Sequence, residues 1–178
     1  MSELTIYDGG LENPRSICDQ QEMSKVLAGH GIRFEQWQAG AALNRESTQD
    51  EILEAYDEQV DALRKASGFQ SVDVISLHPE HPQKKVMREK FLNEHIHTDD
   101  EVRFFVDGQG LFYLHFDDVV MTVLCEKGDL ISVPAHTKHW FDMGPKPDFK
   151  CIRLFTDEAG WVAQMTGDTI AERYPRFE

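Results

Sequence analysis

Between residues 70 and 156 the chain is a succession of short β-rich runs separated by turn-forming residues. Val72, Val74, Ser76 and His78 alternate with Ile75 and Leu77. Glu101–Val106, Leu111–Phe116, Val119–Cys125, Leu130–Val133, His139–Met143 and Cys151–Phe155 follow. Gly108 and Gly110, Asp117-Asp118, Lys127-Gly128-Asp129 and Gly144-Pro145 punctuate them. Short strands with a turn at roughly every 8–12 residues predict a sandwich or barrel.

Residues 1–70 read differently. Leu4–Tyr7 and Ile32–Trp37 have weak strand character, but the stronger signals are helical. Asp19 is placed to cap a helix over 19–29, with Gly29 and Gly31 near its stop. Thr48-x-x-Glu51 has the form of a capping box. Ile52, Tyr56, Val60 and Leu63 then recur at helical spacing until Gly68. The tail from Glu158 carries Trp161 and the pattern of a short helix at 168–173. The expected organisation is one domain over 1–178: a largely helical flank (1–70), a barrel (70–156) and a C-terminal tail (157–178).

The chain carries 32 acids against 18 bases, a formal charge of −14. That field repels phosphate backbones, so nucleic acid is not an expected partner. It also repels small anions, so an anionic substrate requires a local cation. No apolar run reaches the ~20 residues of a membrane span. MSELTIYDGG has neither the basic nor the apolar region of a signal peptide. The expectation is a cytoplasmic protein away from the membrane, working as a monomer. Cys18, Cys125 and Cys151 are widely spaced and predict free thiols rather than a disulfide framework.

The chemistry is concentrated in His95-Ile96-His97-Thr98-Asp99-Asp100-Glu101. In a strand, residues i and i+2 share a face, so His95 and His97 point the same way. Glu101 lies at even spacing from both. His139, next to Trp140 and Phe141, is the best candidate for a fourth ligand from a distant strand. Three imidazoles and a carboxylate select Fe, Ni, Mn, Co or Zn over Ca or Mg. On an octahedral ion they leave two positions open, which a chelating substrate can use. An HxH pair alone is weak, since strands often carry hydrogen-bonded histidines. The whole pattern is far more demanding: HxHx3Ex6G over His95, His97, Glu101 and Gly108, followed by Gly128-x5-Pro134-x4-His139.

These two stretches look like the two cupin motifs, and the match goes further. HIHTDDEVRFFVDGQGLFYLHF and VPAHTKHWFDMG resemble the acireductone dioxygenases, as do ILEAYDEQVDAL, KFLNEH and IRLFTDEAGWVA. The resemblance implies a mainly β, jelly-roll-like cupin double-stranded β-helix barrel with flanking helices. It also implies one Fe(II) or Ni(II) per chain on His95, His97, Glu101 and His139. The implied reaction is O2-dependent cleavage of acireductone (1,2-dihydroxy-3-keto-5-methylthiopentene) in methionine salvage. Iron implies formate and 2-keto-4-methylthiobutyrate; nickel implies formate, carbon monoxide and methylthiopropionate. The chain departs from the general cupin pattern at Glu89, His136 and Met143, where Gly, Gly and Asn are usual. Two other readings compete: a cupin oxygenase of a different chelating diketone or enediol, and a non-catalytic metal-binding cupin.

Arg103 shares the strand face of Glu101 and can contact substrate oxygens or form a rim ion pair. The resemblance favours the catalytic role. Arg153, in the apolar run Cys151–Phe155, must face solvent or be buried and paired, and a cavity role is open to it. Phe91, Phe105, Phe141 and Trp161 are candidate walls for the methylthio tail, with Phe91, Phe141 and Trp161 the expected substrate contacts. Asp99 and Asp100 can steer the ligand imidazoles or simply form the turn.

Overall fold

The computed structural model describes residues 1–38, 41–44, 46–157, 159 and 162–178. The strands in chain order are β1 (Glu3–Asp8), β2 (Arg15–Ile17), β3 (Arg33–Gln36), β4 (Ser71–Leu77), β5 (His95–Ile96), β6 (Glu101–Phe116), β7 (Val119–Glu126), β8 (Asp129–Val133), β9 (Lys138–Asp142), β10 (Phe149–Phe155) and β11 (Gln164–Met165). The helices are α1 (Gln20–Ala28), α2 (Gln49–Ala55), α3 (Asp57–Ser67) and α4 (Lys84–Phe91), with a 3-10 turn at Ile170–Arg173.

All pairings are antiparallel, and they form two facing sheets joined by β6. One sheet runs β11-β5-β9-β6-β7-β1-β2. The other runs β3-β8-β6-β10-β4. Residues 101–108 of β6 belong to the second sheet, and residues 109–116 to the first. The sequence predicts two strands broken at Gly108 and Gly110; the structure has one strand of 16 residues. The glycines mark a crossing rather than a turn. Gly108 takes φ +74°, and a Cβ there would lie 1.9 Å from the Asp148 carbonyl oxygen. Just before it the register slips: Phe105 to Asp107 on β6 faces Cys151 to Lys150 on β10. The extra residue is Val106, a β-bulge that bends the strand from one sheet into the other.

Between the sheets lies a core that includes Phe34, Phe105, Phe112, Ile131, Phe149 and Cys151. Outside the second sheet, Ile52, Tyr56, Val60 and Leu63 of the helical segment cover Phe104, Leu130, Ile152 and Leu154. Outside the first, Ala171 and Tyr174 of the tail cover Tyr113 and Trp140.

The flank is less helical than expected, because β1, β2 and β3 add to the edges of the two sheets. The capping box forms as predicted, with Thr48 Oγ1 accepting from Glu51 N and Glu51 returning to Thr48 N. The helix it starts breaks at Tyr56 (φ −117°, ψ 17°), so the periodic run is two helices, α2 and α3. Gly68 ends α3 in the left-handed conformation. Helix α4 has little signature in the sequence: it has no side-chain cap and buries none of its residues fully, its Met87 and Phe91 packing only partly buried against the core. Among the described residues no helix is long and apolar enough to cross a membrane.

Candidate metal centre

Four side chains meet inside the barrel. His95 starts β5, and His97 follows just beyond its end. Glu101 opens β6, and His139 lies on β9 directly opposite His95. All four are buried, and their ligand atoms lie within 4.8 Å of one another. Glu101 Oε2 is 2.9 Å from His97 Nε2 and 3.0 Å from His139 Nε2. An octahedron with bonds of about 2.1 Å has edges of about 3.0 Å, so these spacings fit neighbouring ligands on one ion.

The hydrogen bonding of the rings supports the same assignment. His95 Nδ1 donates to the Asn93 carbonyl (2.7 Å), and His139 Nδ1 donates to the Thr137 carbonyl (2.8 Å). A neutral imidazole that donates from Nδ1 has a bare lone pair at Nε2. Such lone pairs aimed at one another and at a carboxylate repel unless a cation sits among them. Burial, then the neighbouring His139, lowers the His95 pKa to about 4, so this ring is neutral and ready to ligate at neutral pH. Burial pushes the Glu101 carboxyl up, but the Arg103 guanidinium, then the facing His139 and His97, outweigh it. The carboxyl is held well below the usual range and stays ionised. A borderline transition-metal dication therefore fits the donor set.

The ligands line a cavity of about 380 Å³. Arg103 and Arg153, cross-strand neighbours on β6 and β10, line it beside them. Arg103 Nη2 is 2.9 Å from Glu101 Oε1, and its guanidinium carbon lies 5.2 Å from the centre of the Phe155 ring. Arg153 is half-buried and paired, gripping Asp73 of β4 through Nε (2.8 Å) and Nη2 (2.5 Å). Apart from Lys90, the rest of the wall is apolar, chiefly Phe91, Phe105, Phe112, Phe141, Phe149 and Phe155 with Ile75 and Cys151. Phe91 comes from α4 and stands edge-on to Phe141 of β9, ring centres 6.4 Å apart. A larger open groove of about 900 Å³ beside α2 contains none of these residues.

The cavity thus gathers every expected site residue that falls on the described chain. Trp161 lies outside the described residues; its neighbours Val162 and Ala163 line the cavity. They are held there because β11 pairs with β5, and Thr166 donates to the buried Glu94 side chain (2.7 Å). Asp99 and Asp100 tie loops together: Asp99 accepts from Asp100 N and Thr156 N, and Asp100 accepts from Ala135 N. That is the turn-forming role. His136 is not among the ligands; it takes φ +64°, keeping the left-handed backbone of the usual glycine.

Comparison with known proteins identifies the lineage. The ARD/ARD' family matches residues 4–163. The chain belongs to this family. Acireductone dioxygenase of Hahella chejuensis is 57% identical over 180 residues, covering 100% of this chain and 97% of that protein. The Aquifex aeolicus protein of the same name is 51% identical over 178 residues, covering 100% of this chain and 97% of that protein. The solved structure of acireductone dioxygenase from Bacillus anthracis with cadmium ion in its active centre superposes with a TM-score of 0.84. It is 32% identical, and the match covers 92% of this chain and 98% of that one. The cupin barrel expected of the ARD/ARD' family is therefore the fold of this chain, and its buried His3Glu cluster is a metal site.

Sequence reasoning overlooked Phe112, Phe149, Phe155, Ile75 and Lys90 as cavity residues, and Asp73 as the partner of Arg153. Strand parity carried a signal for some of them: once Arg153 is inside, Phe149, Cys151 and Phe155 follow at even spacing.

Proposed function

We propose that the chain is a metal-dependent dioxygenase that cleaves acireductone with O2 in methionine salvage. With Fe(II) the products are formate and 2-keto-4-methylthiobutyrate; with Ni(II) they are formate, carbon monoxide and methylthiopropionate. The observation that carries this reading is one cavity that holds the four metal-ligand side chains and two arginines against a largely aromatic wall. Acireductone suits both, with an ionisable enediol-ketone head and a methylthio tail. A metal ion on His95, His97, Glu101 and His139 supplies Lewis acidity and a template for chelating oxygens.

The remaining roles belong to the protein. Arg103 is the proposed catalytic residue: its guanidinium, beside the ligand carboxylate, neutralises charge on the enediolate oxygens. Arg153 binds the same end and, with Arg103, offsets the −14 field of the chain for an anionic substrate. Phe91 and Phe141 form the tail wall, and Trp161 completes the set of proposed substrate contacts. All four metal ligands come from one chain, which supports one ion per chain; a monomeric, cytoplasmic enzyme belongs to the same proposal.

The test is oxygen uptake on freshly prepared acireductone by protein stripped of metal and reloaded separately with Fe(II) and Ni(II), with products identified. Uptake by the loaded forms only, with carbon monoxide from the nickel form, supports the proposal. An oxygen electrode that stays silent with fully loaded protein points to another chelating substrate or to a binding module.

A further inference from the structure

Gly110 lies where β6 enters the first sheet, two residues before Phe112 and on the same face. It has no left-handed backbone angle to explain it. What it has is a neighbour. A Cβ at Gly110 would stand 2.3 Å from Phe141 Cζ and 2.5 Å from its Cε2, and 3.4 Å from Phe105 Cε1. The Phe141 ring rests directly on the backbone of β6, in the space a side chain would otherwise take. Carbon atoms in contact sit about 3.5–4.0 Å apart, so any side chain at 110 displaces this ring by about 1 Å or more.

The ring has few directions open to it. Phe112 (4.8 Å between ring centres), Phe149 (5.9 Å) and Phe91 (6.4 Å) pack around it. The unfilled side is the cavity of about 380 Å³ that Phe141 lines. We infer that Gly110 is a specificity-determining residue: by letting Phe141 lie back against β6, it sets the depth of the cavity at its aromatic wall and hence the tail length accepted. The inference rests on the acireductone reading and adds to it a size limit on the substrate.

The experiment compares the metal-loaded wild type with Gly110→Ala on two enediols. One is acireductone; the other is 1,2-dihydroxy-3-ketopentene, which lacks the methylthio group. In Gly110→Ala the ratio of kcat/KM values, long tail over short, falls about tenfold or more, since a hydrophobic pocket discriminates to that degree per group lost. In Gly110→Ala/Phe141→Leu, where the ring is gone, the ratio returns to within about threefold of wild type. A crystal structure of Gly110→Ala shows the Phe141 ring moved toward the cavity. An unchanged ratio, an unmoved ring, or no recovery in the double variant overturns the inference and leaves the acireductone reading intact. If Gly110→Ala does not fold, Phe141→Leu alone decides: it raises kcat/KM for an enediol whose tail is two carbons longer, and no gain overturns the inference. A wild type that consumes oxygen with neither enediol overturns the acireductone reading and takes this inference with it.

Discussion

Glu101 is shared between Arg103 and the ligand imidazoles: Oε1 takes the guanidinium at 2.9 Å while Oε2 faces His97 and His139. One carboxylate thus carries both a metal-facing and an arginine-facing oxygen. Arg103→Lys keeps the charge but loses the planar fork that reaches past the carboxylate. Arg103→Ala removes both and leaves a buried carboxylate with less compensation. The expected result is a fall in kcat/KM of about 100-fold or more for Arg103→Ala, with a smaller fall for Arg103→Lys. Bound metal, measured by elemental analysis, stays near one per chain, because none of the four donors is lost. Loss of metal in step with activity would make Arg103 a support for the ligand cluster only.

The metal-free protein has a predictable acid limit. His95 has a folded pKa of about 4 because it is buried and faces His139, whereas the unfolded chain titrates near its ordinary value of about 6.5. As pH falls through this window the unfolded state takes up the proton first, so stability is full above about 6.5 and declines toward about 4. The loss from this residue is on the order of 3 kcal/mol. Glu101, held below the usual carboxylate range, adds to the decline in the same direction only at more acid pH. Denaturant titrations of metal-free protein at pH 7.5, 6 and 5 give progressively lower stability. His95→Asn flattens the dependence between pH 6.5 and 5.

Much of this site was legible in the residues because it obeys strand parity. His95 and His97, then Glu101, Arg103 and Phe105, fall on one face, and each of them lines the cavity. Parity fails at Val106. The bulge there moves the inward face from odd to even positions, so Gly110 and Phe112 point inward while Leu111 and Tyr113 turn toward the tail. A bulge has no signature that distinguishes it from a turn when two glycines follow, and β6 accordingly reads as two strands. Helix α4 was hidden for a different reason. Its apolar face is only the partly buried pair Met87 and Phe91, and it is tied down by the charge pair of Arg88 with Asp142.

The thiols offer a check on the barrel interior. Cys18 is exposed, whereas Cys125 and Cys151 are buried. Burial pushes both buried thiols well up, and for Cys151 this outweighs the nearby Arg103 and Arg153. A thiolate is the reactive form, so both resist alkylation near neutral pH. Native protein treated with iodoacetamide at pH 8 therefore takes one label, on Cys18, and unfolded protein takes three. Labelling of Cys151 in the native state would show that the cavity opens far more than the packed aromatic wall allows.

Arg88 and Asp142 join the element that carries Phe91 to the strand that carries His139 and Phe141. Asp142 is fully buried and accepts from Arg88 Nε (2.7 Å), Arg88 Nη2 (3.0 Å), Gly144 N (2.8 Å) and Phe177 N (3.1 Å). Arg88 also donates to the Phe177 carbonyl at 3.0 Å, so α4 and the chain's last residues are fastened to β9 by one carboxylate. Arg88→Ala leaves that charge buried with only two backbone donors, which destabilises the fold by about 3–5 kcal/mol. Arg88→Ala/Asp142→Leu removes the stranded charge and recovers a large part of the loss, although the tail's hydrogen bonds do not return. The two variants also separate stability from wall geometry. If α4 is held in place chiefly by this pair, both raise KM for acireductone more than they lower kcat, because Phe91 is no longer fixed against Phe141. Equal stabilities for Arg88→Ala and wild type in urea would mean that the pair contributes nothing to fastening α4.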